Sequence, residues 1–102
     1  MSKQYKNREK KPEFVRVPPH SDEAEISVLG GILLAPDSFN KVSTILRPDA
    51  FYKEAHKKIY RAMEELDNDH SPIDQITVTE KLKSLNLLEE IGGAYYVTGL
   101  AE

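Results

Sequence analysis

Apolar positions recur along this chain at helical spacing, and short polar or proline-containing breaks separate the recurrences. Val28, Leu29, Ile32 and Leu33 repeat at i, i+1, i+4 and i+5, one stripe of a helix running from Ser21 to about Leu34. Ser21 suits the cap, and Asp22 and Glu23 put negative charge on the first turn, where the peptide dipoles favour it. Ala35-Pro36-Asp37 opens a second, shorter helix with Phe39, Val42, Ile45 and Leu46 on one face, and Arg47-Pro48 stops it. From about Lys53 to Leu66, the residues Ala55, Ile59, Ala62, Met63 and Leu66 form a third stripe, with Lys57, Lys58, Arg61, Glu64 and Glu65 on the opposite side. The polar run from Asp67 to Pro72 reads as a loop.

Asp74 then caps a fourth helix, with Ile73 placed to pack on Val78 as a hydrophobic staple and Ile76, Leu82 and Leu85 completing the inner face. The β-branched cluster Ile76 to Thr79 competes as a strand, but no alternating partner run exists to pair with it. Asn86 suits a helix end, Leu87 to Ile91 form an apolar-acidic turn, and Gly92-Gly93 reset the chain. A last helix with Ala94, Tyr95, Tyr96, Val97 and Leu100 is still running at Glu102, so the sequence reads as cut inside a helix. The expected fold is all-α, a compact bundle of five to six short helices.

Composition narrows the class. At 102 residues and 39% hydrophobic content there is material for one small core and no second catalytic domain. With no cysteine there is no disulfide framework, thiolate metal site or thiol nucleophile. No apolar stretch is long enough to cross a bilayer, and no apolar segment follows the basic start as a secretory signal would require. The net charge of −3 conceals an asymmetry. In residues 1–16, Lys3, Lys6, Arg8, Lys10, Lys11 and Arg16 outweigh Glu9 and Glu13 by four, whereas the remainder carries −7. Residues 1–17 read as a basic, disordered arm and 18–102 as a folded acidic head. A head of that sign disfavours direct phosphate contact.

The sequence carries few signatures of catalytic or ligand chemistry. Gly30 and Gly31 sit where good helix formers would stand, which points to close helix packing; neither nucleotide-binding glycine fingerprint is present. His20, His56 and His70 lack metal-ligand spacing, and His56, between Ala55 and Ile59, reads as a hydrogen-bonded packing histidine rather than a catalytic base. Asp67 and Asp69 lack the glycine and closing glutamate of a calcium loop, and no serine lies in a GxSxG elbow. No catalytic, cofactor or metal residues are expected.

Four stretches together resemble the N-terminal domain of bacterial replicative DNA helicases, the DnaB family. They are Val17-Pro18-Pro19-His20-Ser21 with Glu23-Ala24-Glu25 and Val28-Leu29-Gly30-Gly31; Asp49-Ala50-Phe51-Tyr52 with Ala55-His56 and Ile59-Tyr60; Ser71-Pro72-Ile73-Asp74 with Thr77-Val78; and Leu88 to Gly93 with Tyr96. Asp22, Ile26, Gln75 and Gly99 depart from the usual pattern. The resemblance implies an all-α head followed by a helical hairpin and a RecA-like motor, absent from this chain, that binds ATP and Mg and unwinds DNA. It also implies a cytoplasmic protein at the replication fork whose heads form dimers and a hexamer collar and meet primase and the helicase loader. Pro18, Pro19, Glu23, Ala24, Glu25, Val28, Leu29, Gly30, Phe51, Tyr52, His56, Ile59, Gly92, Gly93 and Tyr96 are then structural motif residues. Tyr95, Val97 and Leu100 are the candidate interface, an apolar face that the hairpin would cover. Lys57, Lys58 and Arg61 read as a solvated face rather than a primase site. The competing readings are a helix-turn-helix DNA-binding regulator using Gln75, Thr77, Thr79, Lys81 and Lys83, and a small hydrolase built on His56.

Overall fold

A computed structural model describes residues 20–102; the basic arm, Pro18 and Pro19 lie outside the described residues. Five α-helices follow one another: α1 (Asp22–Leu34), α2 (Phe39–Ile45), α3 (Glu54–Asn68), α4 (Gln75–Ser84) and α5 (Gly93–Leu100), with 3₁₀ turns at Pro36–Ser38 and Pro48–Ala50. No strand occurs among the described residues, so the expected all-α class holds and the β-branched run belongs to α4.

Local chemistry explains the boundaries. Ser21 Oγ accepts the Ala24 N–H at 3.2 Å and starts α1. Asp74 and Thr77 form a reciprocal capping box: the Thr77 N–H donates to Asp74 Oδ1 at 2.8 Å and the Asp74 N–H to Thr77 Oγ1 at 2.9 Å. α3 and α4 each close through one non-glycine residue in the left-handed region, His70 (φ 59°) and Asn86 (φ 60°). The next N–H then reaches back five residues, Ser71 to the Leu66 carbonyl and Leu87 to that of Leu82, both at 2.9 Å.

α3 is the central element. Ile59, Tyr60, Ala62 and Met63 are fully buried and pack with Leu29, Ile32 and Leu33 of α1, Phe39, Phe51, Ile73, Val78 and Leu82, and Val97 and Leu100 of α5. Tyr60 stacks obliquely between Phe39 (5.5 Å) and Phe51 (5.1 Å), and its hydroxyl donates to the Leu46 carbonyl at 2.9 Å, satisfying the one polar atom this ring carries inward.

Several expectations are corrected. The loop expected to begin at Asp67 starts later, because α3 continues through Asn68. α2 begins as a 3₁₀ turn rather than directly as an α-helix, and the last helix ends at Leu100 rather than running on through Glu102. Ile45, Ile76 and Leu85 are not on inner faces: Ile45 is 77% and Ile76 74% exposed, and Leu85 is exposed too. In α4 the inward positions are Val78 and Leu82, four apart; Ile76, two residues before Val78, lies about 200° round the helix and faces outward. Ile45 and Leu85 sit where the helical path is being abandoned, so periodicity no longer orients them.

Candidate functional site

Two features organise the end of the molecule formed by α1, α3 and α5: a buried polar hub and an uncharged outer face.

The hub is centred on His56, which is wholly buried on the first turn of α3. Its Nδ1 lies 2.7 Å from Glu25 Oε1 of α1, and its Nε2 lies 2.6 Å from the Tyr96 hydroxyl of α5. Glu25 is committed to the same corner: Oε2 accepts the Tyr52 N–H at 2.7 Å and Oε1 accepts the Lys53 N–H at 3.4 Å. Those two N–H groups lie just before α3, where a helix start leaves donors unpaired. Burial works against the Glu25 charge, and the Tyr52 N–H, the His56 ring and the Lys53 N–H outweigh it, holding the carboxyl below its ordinary value. An ionised carboxylate can only accept, so His56 Nδ1 carries a hydrogen; in the neutral ring Nε2 then accepts the Tyr96 O–H. Burial, with Asp22 and Glu25 adding to it and Lys53 opposing, pushes the Tyr96 hydroxyl above its ordinary value, which keeps that proton in place. Phe51 closes the hub edge-on, its ring centroid 6.4 Å from that of His56.

The hub is therefore a packing device. His56 has no exposed surface and both ring nitrogens are engaged, so it is not disposed to take a proton from an external substrate, and the hydrolase reading has no geometric support. Among the described residues no cluster of three His, Cys, Asp or Glu side chains is placed to hold a metal ion.

The motif residues divide cleanly. Glu25, Phe51, Tyr52, His56 and Tyr96 converge on the hub, and Leu29 and Ile59 fill the core beside it. Tyr52, mostly exposed, stacks on His20 with centroids 3.7 Å apart. Gly30 passes under α5 so closely that a Cβ would stand 2.0 Å from the Leu100 carbonyl oxygen, the close packing its sequence position suggested; Gly31 meets nothing. Gly92 (φ 114°) and Gly93 (φ 80°) supply the left-handed turn into α5. Ala24 and Val28 line an apolar cleft of about 160 Å³ with Leu46, Ala50 and Phe51, and Glu23 is exposed on α1.

The candidate interface needs correction. Tyr95 is 90% exposed, but Val97 and Leu100 are core residues and form no surface for a hairpin to cover. Sequence reasoning missed Ile26, Thr98 and Gly99, which accompany Tyr95 along grooves on the two sides of α5. The helix-turn-helix reading also fails in detail. Thr77 is spent on the capping box, Thr79 on the Gln75 carbonyl, Gln75 on Thr98, and Lys81 on Glu65 and Asp69. Lys57, Lys58 and Arg61 pair with Glu54, Glu90 and Asp49 on the head's own surface.

Comparison with known proteins agrees with this architecture. The family model for the DnaB-like helicase N-terminal domain matches residues 17–102. The chain is 46% identical over 86 residues to the replicative DNA helicase DnaC of Bacillus subtilis, covering 84% of this chain and 19% of that protein. It is 45% identical over 87 residues to the replicative DNA helicase DnaB of Geobacillus stearothermophilus, covering 85% of this chain and again 19% of the relative. The chain thus spans about a fifth of the length of these relatives. The crystal structure of the N-terminal domain of DnaB helicase from Mycobacterium tuberculosis superposes with a TM-score of 0.79 at 42% identity, over 83% of this chain and 61% of that one.

Proposed function

Because the chain belongs to the family of DnaB-like helicase N-terminal domains, we propose that it is the assembly and docking head of a replicative DNA helicase. The observation that carries this reading is how its polar groups are spent. The buried ones hold helices together, while a helix with no charged side chain faces outward, as a surface meant for other proteins would. On this reading the heads pair into dimers and a hexamer collar, receive primase and the helicase loader, and leave DNA to the motor. ATP and Mg belong to that motor, and the protein works in the cytoplasm at the replication fork. The −7 charge of residues 17–102 supports the division, since strand binding calls for a cationic channel.

The test compares the complete helicase carrying this head with a version lacking residues 18–102. Removing the head is expected to leave ATP hydrolysis in place while hexamers dissociate more readily on dilution and primase no longer co-sediments. Unchanged ring stability together with unchanged primase binding would refute the assignment.

A further inference from the structure

α5 is a surface helix of unusual composition for this chain. Its sequence, GAYYVTGL, contains no charged residue, although 30% of the chain is Asp, Glu, Lys or Arg. Ala94, Tyr95, Thr98 and Gly99 form its outward ridge, all exposed. A groove runs along each flank. One, of about 160 Å³, is lined by Ile26, Tyr95, Tyr96, Gly99 and Leu100; the other, of about 400 Å³, by Gln75, Ile76, Thr79, Glu80 and Thr98. Each has one isoleucine to meet an aliphatic side chain. Depletion of charge at the centre with an exposed tyrosine is the composition of an interface core.

The rim is acidic. Asp22 and Glu23 lie one turn before Ile26 on α1, Glu80 lines the second groove, and the Glu102 N–H donates to the Gly99 carbonyl, which puts that residue at the end of the ridge. Lys53, the cation that reaches Tyr96, is paired with Asp22 at 3.6 Å. Among the described residues no cation lies within ion-pair distance of Glu23, Glu80 or Glu102.

We propose that the α5 ridge is the docking surface for a basic amphipathic helix of a partner protein. That helix crosses α5, seats one aliphatic side chain in the Ile26 groove and another in the Ile76 groove, and meets Glu23, Glu80 and Glu102 with Lys or Arg. Anchors seven residues apart on a helix are separated by about 10.5 Å, which matches the roughly 10 Å width of the helix to be straddled. The proposal rests on the docking-head reading and adds the face and the partner chemistry.

The probe is a synthetic helix of about 15 residues with two leucines seven apart, lysines flanking them and alanine elsewhere. Two controls accompany it: one with every lysine replaced by glutamate, one with the leucines two apart. Each is titrated into the isotope-labelled 102-residue chain and followed by amide shifts. The basic peptide is expected to shift Ile26, Ile76, Tyr95, Thr98 and Gly99 and to bind at least about tenfold more tightly than either control, with added salt removing the advantage over the acidic one. Gly99→Leu, which fills the first groove at a position where a Cβ meets no other atom, is expected to weaken binding about tenfold with thermal stability retained. Glu23→Lys with Glu80→Lys, both on the surface, is expected to reverse the charge preference. Equal binding of the acidic peptide, shifts that map elsewhere, or no binding overturns the proposal. So does self-association of the chain that Gly99→Leu abolishes, or a longer chain whose own following segment protects the same amides. The titration needs no motor or primase, so its failure leaves the assembly reading standing, and failure of the head-deletion test leaves the titration interpretable.

Discussion

Gly30 and Gly31 are adjacent in one helix, yet substituting each with alanine should move stability in opposite directions. In free helices either change would be favourable by about 1 kcal/mol, the ordinary difference between glycine and alanine. At Gly31 nothing lies within 4 Å of the added carbon, so that gain survives and Gly31→Ala should raise the melting temperature by a few degrees. At Gly30 the new Cβ would stand 2.0 Å from the Leu100 carbonyl oxygen and 2.9 Å from its carbon. Carbon–oxygen contacts settle at about 3.3 Å, so the last turn of α5 must retreat by about 1.3 Å. The obstacle is main chain, which has no rotamer to change, and Leu100 is a core residue whose retreat opens a void. Overpacking of this kind costs about 1–3 kcal/mol, and the rigid obstacle places it at the upper end. Less the propensity gain, the net loss is about 2 kcal/mol, or roughly 8–16 °C in melting temperature for a domain of this size. Thermal and urea unfolding followed by far-ultraviolet circular dichroism measure both variants. Shifts of the same sign and size would refute the claim that α5 closes on α1 through Gly30.

Three further outcomes follow from the hub and the outer face. His56→Ala removes the partner of a mostly buried carboxylate and of the Tyr96 hydroxyl and leaves a cavity, so urea titration should show a loss of about 3–5 kcal/mol, against about 1 kcal/mol for Tyr96→Phe, which deletes a single hydrogen bond. Since the folded state lowers the Glu25 carboxyl value, its contribution is complete above the unfolded value and is lost as pH falls through the folded one; Glu25→Gln should flatten that acid limb in a stability profile. Tyr95→Ala should change unfolding free energy by no more than about 0.5 kcal/mol, because the ring is 90% exposed; a larger loss would mean that the side chain packs on the head.

What could be read from the sequence was local. Caps at Ser21 and Asp74, the inward placing of Ile73 and Val78 at the start of α4 and the α3 stripe are set by residues within one or two turns, and all stand where the pattern places them. Pattern and structure part where an apolar residue stands at the end of a helix or off the inward stripe. Hydrophobicity alone points Ile45, Ile76 and Leu85 inward, while their positions at helix ends or across the helix from Val78 turn them out. The same counting separates Tyr95 from Val97: two residues at about 100° each put them on nearly opposite sides, so the exposed tyrosine and the two core residues do not share one face. His56 was legible as a packing histidine, but its partners lie 31 and 40 residues away, and no local spacing reveals a contact of that range.

Those long-range contacts decide how α5 presents its outer ridge. A helix of eight residues is far below the length at which helices hold themselves in water, so α5 must be fixed by its neighbours. Each of three elements supplies one fastening: α1 through the Gly30 approach to Leu100, α3 through the bond of His56 to Tyr96, and α4 through the Gln75 amide, which donates to Thr98 Oγ1 at 2.8 Å. The first two act from the buried side and leave the ridge untouched. Tyr96→Phe removes only the hydroxyl that engages His56 and keeps the ring that lines the Ile26 groove, so it should weaken the lysine-rich peptide through the positioning of α5. Loosening of α5 would appear as faster amide exchange at Tyr95 and Thr98, in proportion to the lost affinity. If affinity fell with exchange unaltered, the Tyr96 hydroxyl would have to touch the partner directly; if exchange rose with affinity unaltered, the rigidity of α5 would have no part in docking.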